Sequence, residues 1–136
     1  MRRPTLIRRA LPAVPASVTA LRLEVTELVD AAGIAEPLRT DVKLAVSEAV
    51  TNVVMHAYVD AERPGEVRLL AVMRADRVDI TVADDGRGMM PRLDSPGLGV
   101  GLPFIAQASD TLDISSGDNG GTVLRMTFRF ASVAPA

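Results

Sequence analysis

Three polar side chains recur at helical spacing in the stretch 41–58, DVKLAVSEAVTNVVMHAY: Glu48, Asn52 and His56 stand at i, i+4 and i+8. They place a carboxylate, an amide and an imidazole in one track. At about 100° per residue, Leu38, Val42, Ala45, Val46, Ala49, Val50, Val53 and Ala57 fall on a single apolar arc beside that track. Leu44 and Met55 lie on its other side. Buried polar groups cost free energy unless something pairs with them, and a solvated helix flank has no use for Leu and Met there. The track is therefore expected to line a pocket for a polar ligand. The plain alternative for Glu48 and Asn52 is a solvated flank. His56, the single histidine, is expected to be structural.

Two glycine-bearing stretches carry further chemistry. In Asp84-Asp85-Gly86-Arg87-Gly88, Asp84 continues the inward alternation of Val78, Ile80 and Val82. A carboxylate on a core face needs donors, and as an anionic acceptor in a pocket it suits an exocyclic amine such as that of adenine. Taken alone, the same residues make an ordinary acid-glycine turn. Gly97, Gly99 and Gly101 precede an expected helix. Glycines let the backbone approach a phosphate, and a helix N-terminus offers free amides. No βαβ unit surrounds this run, so it is not a Rossmann fingerprint, and a flexible loop remains the alternative.

These residues need elements to hold them. A first strand is expected over 5–11, its arginines marking an edge. Ser17 is placed to cap a helix running to about Ala32, and Gly33 ends it. Pro37 suits the first turn of the long helix, which runs on until just before Pro64-Gly65. Strands follow at 67–74 and 78–83, joined by a tight Ala75-Asp76 turn. A helix over 102–109, a strand at 112–115, a glycine-rich turn at 117–121 and a last alternating strand at 122–130 complete the chain, with a frayed tail. This order predicts an α/β (α+β) two-layer sandwich, a mixed, mostly antiparallel sheet with helices on one face. It forms one domain over 1–136 with an ordered core at about 5–130.

Composition sets outer bounds. A chain of 136 residues, 48 % apolar and 24 % charged, suits one globular core. A net charge of −2 gives no electrostatic ground for nucleic-acid binding. The absence of Cys excludes disulfides and thiolate metal sites and is compatible with a cytoplasmic location. Arg8 and Arg9 interrupt the N-terminal apolar run, so no secretory leader is expected there, and no apolar stretch is long enough to span a bilayer. Lys43 is the one lysine beside fourteen arginines, which nearly excludes a phosphate-binding lysine.

The stretches also occur in a telling order: a helix with Glu-x-x-x-Asn, a strand ending Asp-x-Gly-x-Gly, Gly-x-Gly-x-Gly opening a helix, and Gly-Gly-Thr starting the last strand. That order resembles the GHKL ATPase superfamily and its Bergerat fold. SEAVTNVVMHAY at 47–58 resembles the anti-sigma factor serine/threonine kinases that regulate bacterial sporulation and stress sigma factors. The resemblance implies ATP and Mg²⁺ as cofactors. Asn52 would hold the metal against the phosphates, and Glu48 would be the general base. Asp84 would accept from the adenine amine, supported by Thr122. Gly86 and Gly88 would let the backbone pass close to the nucleotide. Gly97, Leu98, Gly99, Val100, Gly101 and Leu102 would shape the phosphate end. It further implies a sigma factor and an anti-anti-sigma (STAS-domain) protein as partners, a homodimer, and Arg22 as a partner-facing residue.

One feature departs from that pattern. The segment between the glycine boxes, a lid over the nucleotide in such kinases, is only about eight residues here, Met89 to Pro96, and any cationic help would fall to Arg87 or Arg92. The alternative is an ATP-binding module that sequesters a partner without phosphorylating it. A histidine-kinase catalytic domain fits less well, lacking a second His and a dimerisation helix pair.

Overall fold

The computed structural model describes residues 5–59, 61–63, 65–87 and 101–131. The chain runs β1 (Leu6–Pro12), α1 (Pro15–Ala31), α2 (Leu38–Asn52), a π turn (Val53–Ala57), β2 (Glu66–Met73), β3 (Arg77–Asp84), α3 (Gly101–Ala108), β4 (Thr111–Ser116) and β5 (Thr122–Arg129). The five strands form one sheet in the order β1-β2-β3-β5-β4. Every pairing is antiparallel, so the parallel component expected of a mixed sheet is absent among the described strands.

The period-2 pattern decides what faces the helices. Val67, Leu69 and Ala71 of β2, Val78, Ile80 and Val82 of β3, and Leu124, Met126 and Phe128 of β5 are buried. They meet Leu21, Val25, Leu28 and Val29 of α1, Val42, Ala45, Val46, Ala49 and Val50 of α2, and Leu102 and Ile105 of α3 in one core. Each Val, Leu, Ile, Met or Phe side chain among them, taken fully out of water, stabilises by roughly 1.5–3 kcal/mol. Arg68, Asp79, Arg125 and Arg129 take the alternate positions, where they form ion pairs with Asp85, Arg74 and Arg77, Asp113 and Asp76.

The ends of α1 show local chemistry setting a boundary. Ser17 does not cap this helix. Val14 is the cap residue and Pro15 begins the first turn, where a missing N–H costs nothing. Ser17 lies inside that turn and donates its Oγ–H to the Pro12 carbonyl at 2.6 Å. At the other end Gly33 takes φ +75°. The Gly33 and Ile34 amides donate back to the Asp30 and Val29 carbonyls, and Ile34 is buried in the core beside the helix. That is a Schellman stop with its apolar contact. The α2 N-terminus is satisfied by Glu36, whose carboxylate accepts from the Thr40 N–H at 2.8 Å.

The long helix is not a single α-helix. Its α-helical part ends at Asn52, and residues 53–57 make the wider i→i+5 turn. His56 falls in this turn, so the i, i+8 relation to Glu48 does not continue the track in space. Leu44 and Met55, expected to wall the track, are exposed.

Candidate functional site

Three segments meet at the end of α2. Asp84, the last residue of β3, is 6 % exposed. Its Oδ1 accepts from the Gly86 N–H at 2.8 Å, and the backbone amide of Thr122 also donates to its carboxylate. Burial pushes its carboxyl above the ordinary carboxylate range, against the pull of those two amides. The inward register read from the strand pattern is thus realised, and the donors it called for are backbone ones. Thr122 supports Asp84 through its main chain.

The π turn grips the residues after Asp84. The Ala57 carbonyl accepts from the Arg87 N–H at 3.0 Å. Gly86 lies so close to Ala57 that a Cβ there would overlap the Ala57 carbonyl. Its missing side chain makes room for the chain's own helix end. On the outer face, Arg68 binds Asp85 through two contacts, at 2.8 and 3.2 Å. From the third side the turn before β5 closes in. Gly120 has φ +85°, and a Cβ on Gly121 would overlap the Asp84 carbonyl.

Asn52 is the last α-helical residue before that grip. Its Nδ2 is buried without a hydrogen-bond partner. Among the described residues it is the buried side-chain polar atom in this condition, and such an orphan needs an explanation. An amide kept for a ligand supplies one. Glu48 is half-buried one turn earlier on the same helix. Leu102 is fully buried, so its side chain belongs to the core; its amide and that of Gly101 lie in the first turn of α3. Gly88, Gly97, Leu98, Gly99 and Val100, with the short segment 89–96, lie outside the described residues. Arg22 is half-buried on α1. A groove of about 310 Å³ lined by Ile7, Glu24, Glu27, Leu28 and Ala31 shares no residue with the segments around Asp84.

Two residues of this assembly carry no role in the sequence reading: Tyr58, whose hydroxyl contacts both Glu66 and Asp85, and Gly121. Tyr58 is marked in the sequence as the single tyrosine and the last residue of SEAVTNVVMHAY, and Gly121 by its place in Gly-Gly-Thr.

Sequence and structure comparisons converge on one family. The sequence model of the histidine kinase-like ATPase domain matches residues 11–128. The chain is 35 % identical over 98 residues to the anti-sigma F factor of Caldanaerobacter subterraneus, covering 64 % of this chain and 67 % of that one. It is 32 % identical over 133 residues to the serine-protein kinase RsbW of Bacillus mycoides, covering 87 % and 81 %. The solved RsbU and RsbW domains of a Mycobacterium tuberculosis protein superpose with a TM-score of 0.73 at 25 % identity, over 94 % of this chain and 33 % of that longer one. With a fold, a family match over most of its length and relatives that agree, this chain belongs to the histidine kinase-like (GHKL) ATPase domain family.

Proposed function

We propose that the chain is an ATP-dependent serine/threonine protein kinase that acts as an anti-sigma factor, binding a sigma factor and phosphorylating a serine or threonine of a STAS-domain anti-anti-sigma protein. The observation that carries this is the Asn52 Nδ2, a buried donor without a partner, on a helix whose end is fastened to the turn bearing a buried, amide-held Asp84. One polar group awaits a ligand and a second presents an acceptor to it. The named relatives supply the biological setting.

The residues present fit Mg-ATP. Bound, it supplies the γ-phosphoryl group and the metal charge that neutralises the phosphates. Asp84 accepts from the exocyclic amine of the base. Asn52 would hold Mg²⁺ through its amide oxygen, as suits a hard cation. Glu48 takes the proton from the attacking hydroxyl. Gly101 and Leu102 contribute first-turn amides of α3 at the phosphate end, together with the 97–100 stretch, while Gly86 and Gly88 let the backbone pass close to the nucleotide. Arg22 on α1 serves as a partner contact, and the working unit is a homodimer in the cytoplasm. No described helix is long and apolar enough to cross a membrane.

A second reading has its own support. Only about eight residues, Met89 to Pro96, separate the glycine boxes in the sequence, which favours an ATP-binding switch that sequesters a partner without phosphorylating it. Radiolabelled ATP incubated with STAS proteins separates the two. Transfer by the wild type, lost on Glu48→Ala with ATP binding retained, supports the kinase. The expected loss is on the order of 10²–10⁴-fold. ATP binding with no transfer by the wild type establishes the switch.

A further inference from the structure

Tyr58 spans three segments with one side chain. Its ring lies against Gly65, where a Cβ would overlap it. Its hydroxyl donates to the Glu66 carbonyl at 2.6 Å and accepts from the Asp85 N–H at 3.0 Å. That N–H belongs to the peptide joining Asp84 to Asp85. The tilt of this peptide sets the direction in which the Asp84 carboxylate leaves the backbone. We propose that the Tyr58 hydroxyl is a positioning group for the base end of the nucleotide site, holding the Asp84–Asp85 peptide so that the carboxylate meets the exocyclic amine. The proposal rests on reading Asp84 as the acceptor of that amine.

The geometry separates this role from a general structural one. Both hydroxyl contacts lie in exposed surroundings. Removing the hydroxyl therefore hands the Asp85 N–H to water and does not orphan it, and water-mediated partners replace direct ones at small cost. The ring, which does the packing against Gly65, stays in Tyr58→Phe. What is lost is a directional tether. A recognition site must hold its groups within about 0.5 Å of the productive geometry, so the loss falls on recognition before it falls on stability.

Tyr58→Phe tests this in the full chain. ATP and inosine triphosphate share sugar and phosphates, but the second replaces the exocyclic amine with a carbonyl oxygen, which a carboxylate cannot accept from. Calorimetric titration with both nucleotides and Mg²⁺ is expected to show wild type preferring ATP. In Tyr58→Phe, ATP should weaken roughly tenfold, the low end of what positioning partners contribute at ligand sites. Inosine triphosphate affinity and melting temperature should be unchanged. A parallel loss for both nucleotides overturns the proposal, as does an unaltered ratio, and as does a Tyr58→Phe chain that does not fold. Asp84→Asn identifies which idea failed. A wild type with no preference for ATP, or a preference that survives Asp84→Asn, sinks the base-end reading itself. A preference abolished by Asp84→Asn but untouched by Tyr58→Phe sinks the role of Tyr58 alone.

Discussion

At the scale of single residues, the two polar groups with the least comfortable surroundings are the ones assigned to the ligand. A buried, unpartnered amide costs about 1–3 kcal/mol, so Asn52 holds its place at the expense of stability. Asn52→Leu should therefore melt no lower than wild type and bind no Mg-ATP. A variant with unchanged nucleotide affinity would remove Asn52 from the metal site. Asp84 makes a prediction about pH. Its folded-state pKa is raised by burial, above an ordinary value of about 3.9. Between the two values the folded chain holds a proton that the unfolded chain has released, so this residue's contribution to stability falls as pH climbs through that window. Nucleotide affinity moves the other way, because the ionised carboxylate is the stronger acceptor. Titrations upward from the ordinary carboxylate pKa of about 3.9 should show ATP binding tighten more in wild type than in Asp84→Asn.

At the scale of elements, the β5 approach turn and the π turn work as two jaws on one short segment. Gly121→Ala puts a methyl group into the Asp84 carbonyl, against main-chain atoms that cannot swing aside as a side chain can. Overpacking of this kind costs about 1–3 kcal/mol or more, and the shift it forces lands on Asp84. Urea denaturation should register the lost stability and calorimetry a loss of ATP affinity; a variant that binds ATP as wild type does would show that this jaw does not position the carboxylate. The elements also show where a sequence is readable. The strands were legible because burial on one face imposes strict alternation, and Asp84 was legible because it breaks the alternation's chemistry while keeping its phase. The Ser17 cap failed because Pro15 competes for the same helix start, and fixed φ with no N–H suits the first turn better than a side-chain bond two residues later. The π turn was invisible, since VVMHA contains no residue that breaks an α-helix. It follows from the grip on Arg87, Gly86 and Gly65, contacts remote in sequence.

At the scale of the whole molecule, the sheet has helices on one face and charge on the other. Asp79 lies on that second face near the β2–β3 hairpin, accepting from Arg74 Nε at 2.7 Å, Arg77 Nε at 3.3 Å and Thr127 Oγ1 at 3.1 Å. Partial burial alone would raise its pKa, but the bonds from Arg74 and Thr127 and the nearby arginine charges hold it below the ordinary range. Its stabilisation is present above the unfolded pKa and disappears as pH falls through the folded one. Asp79→Asn should cost about 1 kcal/mol or less at neutral pH, since solvent screens the cluster, and nothing under strongly acidic conditions. Equal cost at both pH values would mean that packing, not charge, is what Asp79 supplies. The wide turn at 53–57 bears on where this chain tolerates a change of length. Core packing fixes the rotational phase of α2 upstream, and the hold on residues 65 and 85–87 fixes it downstream. A π turn holds one residue more than an α turn, so deleting one residue between them would restore an ordinary helical ladder with Tyr58 near its present phase. Inserting one would swing it by about 100° around the axis, off both of its hydroxyl partners. Surface connections can gain a residue without such a penalty; this turn sets the timing between two halves of the fold and cannot be lengthened.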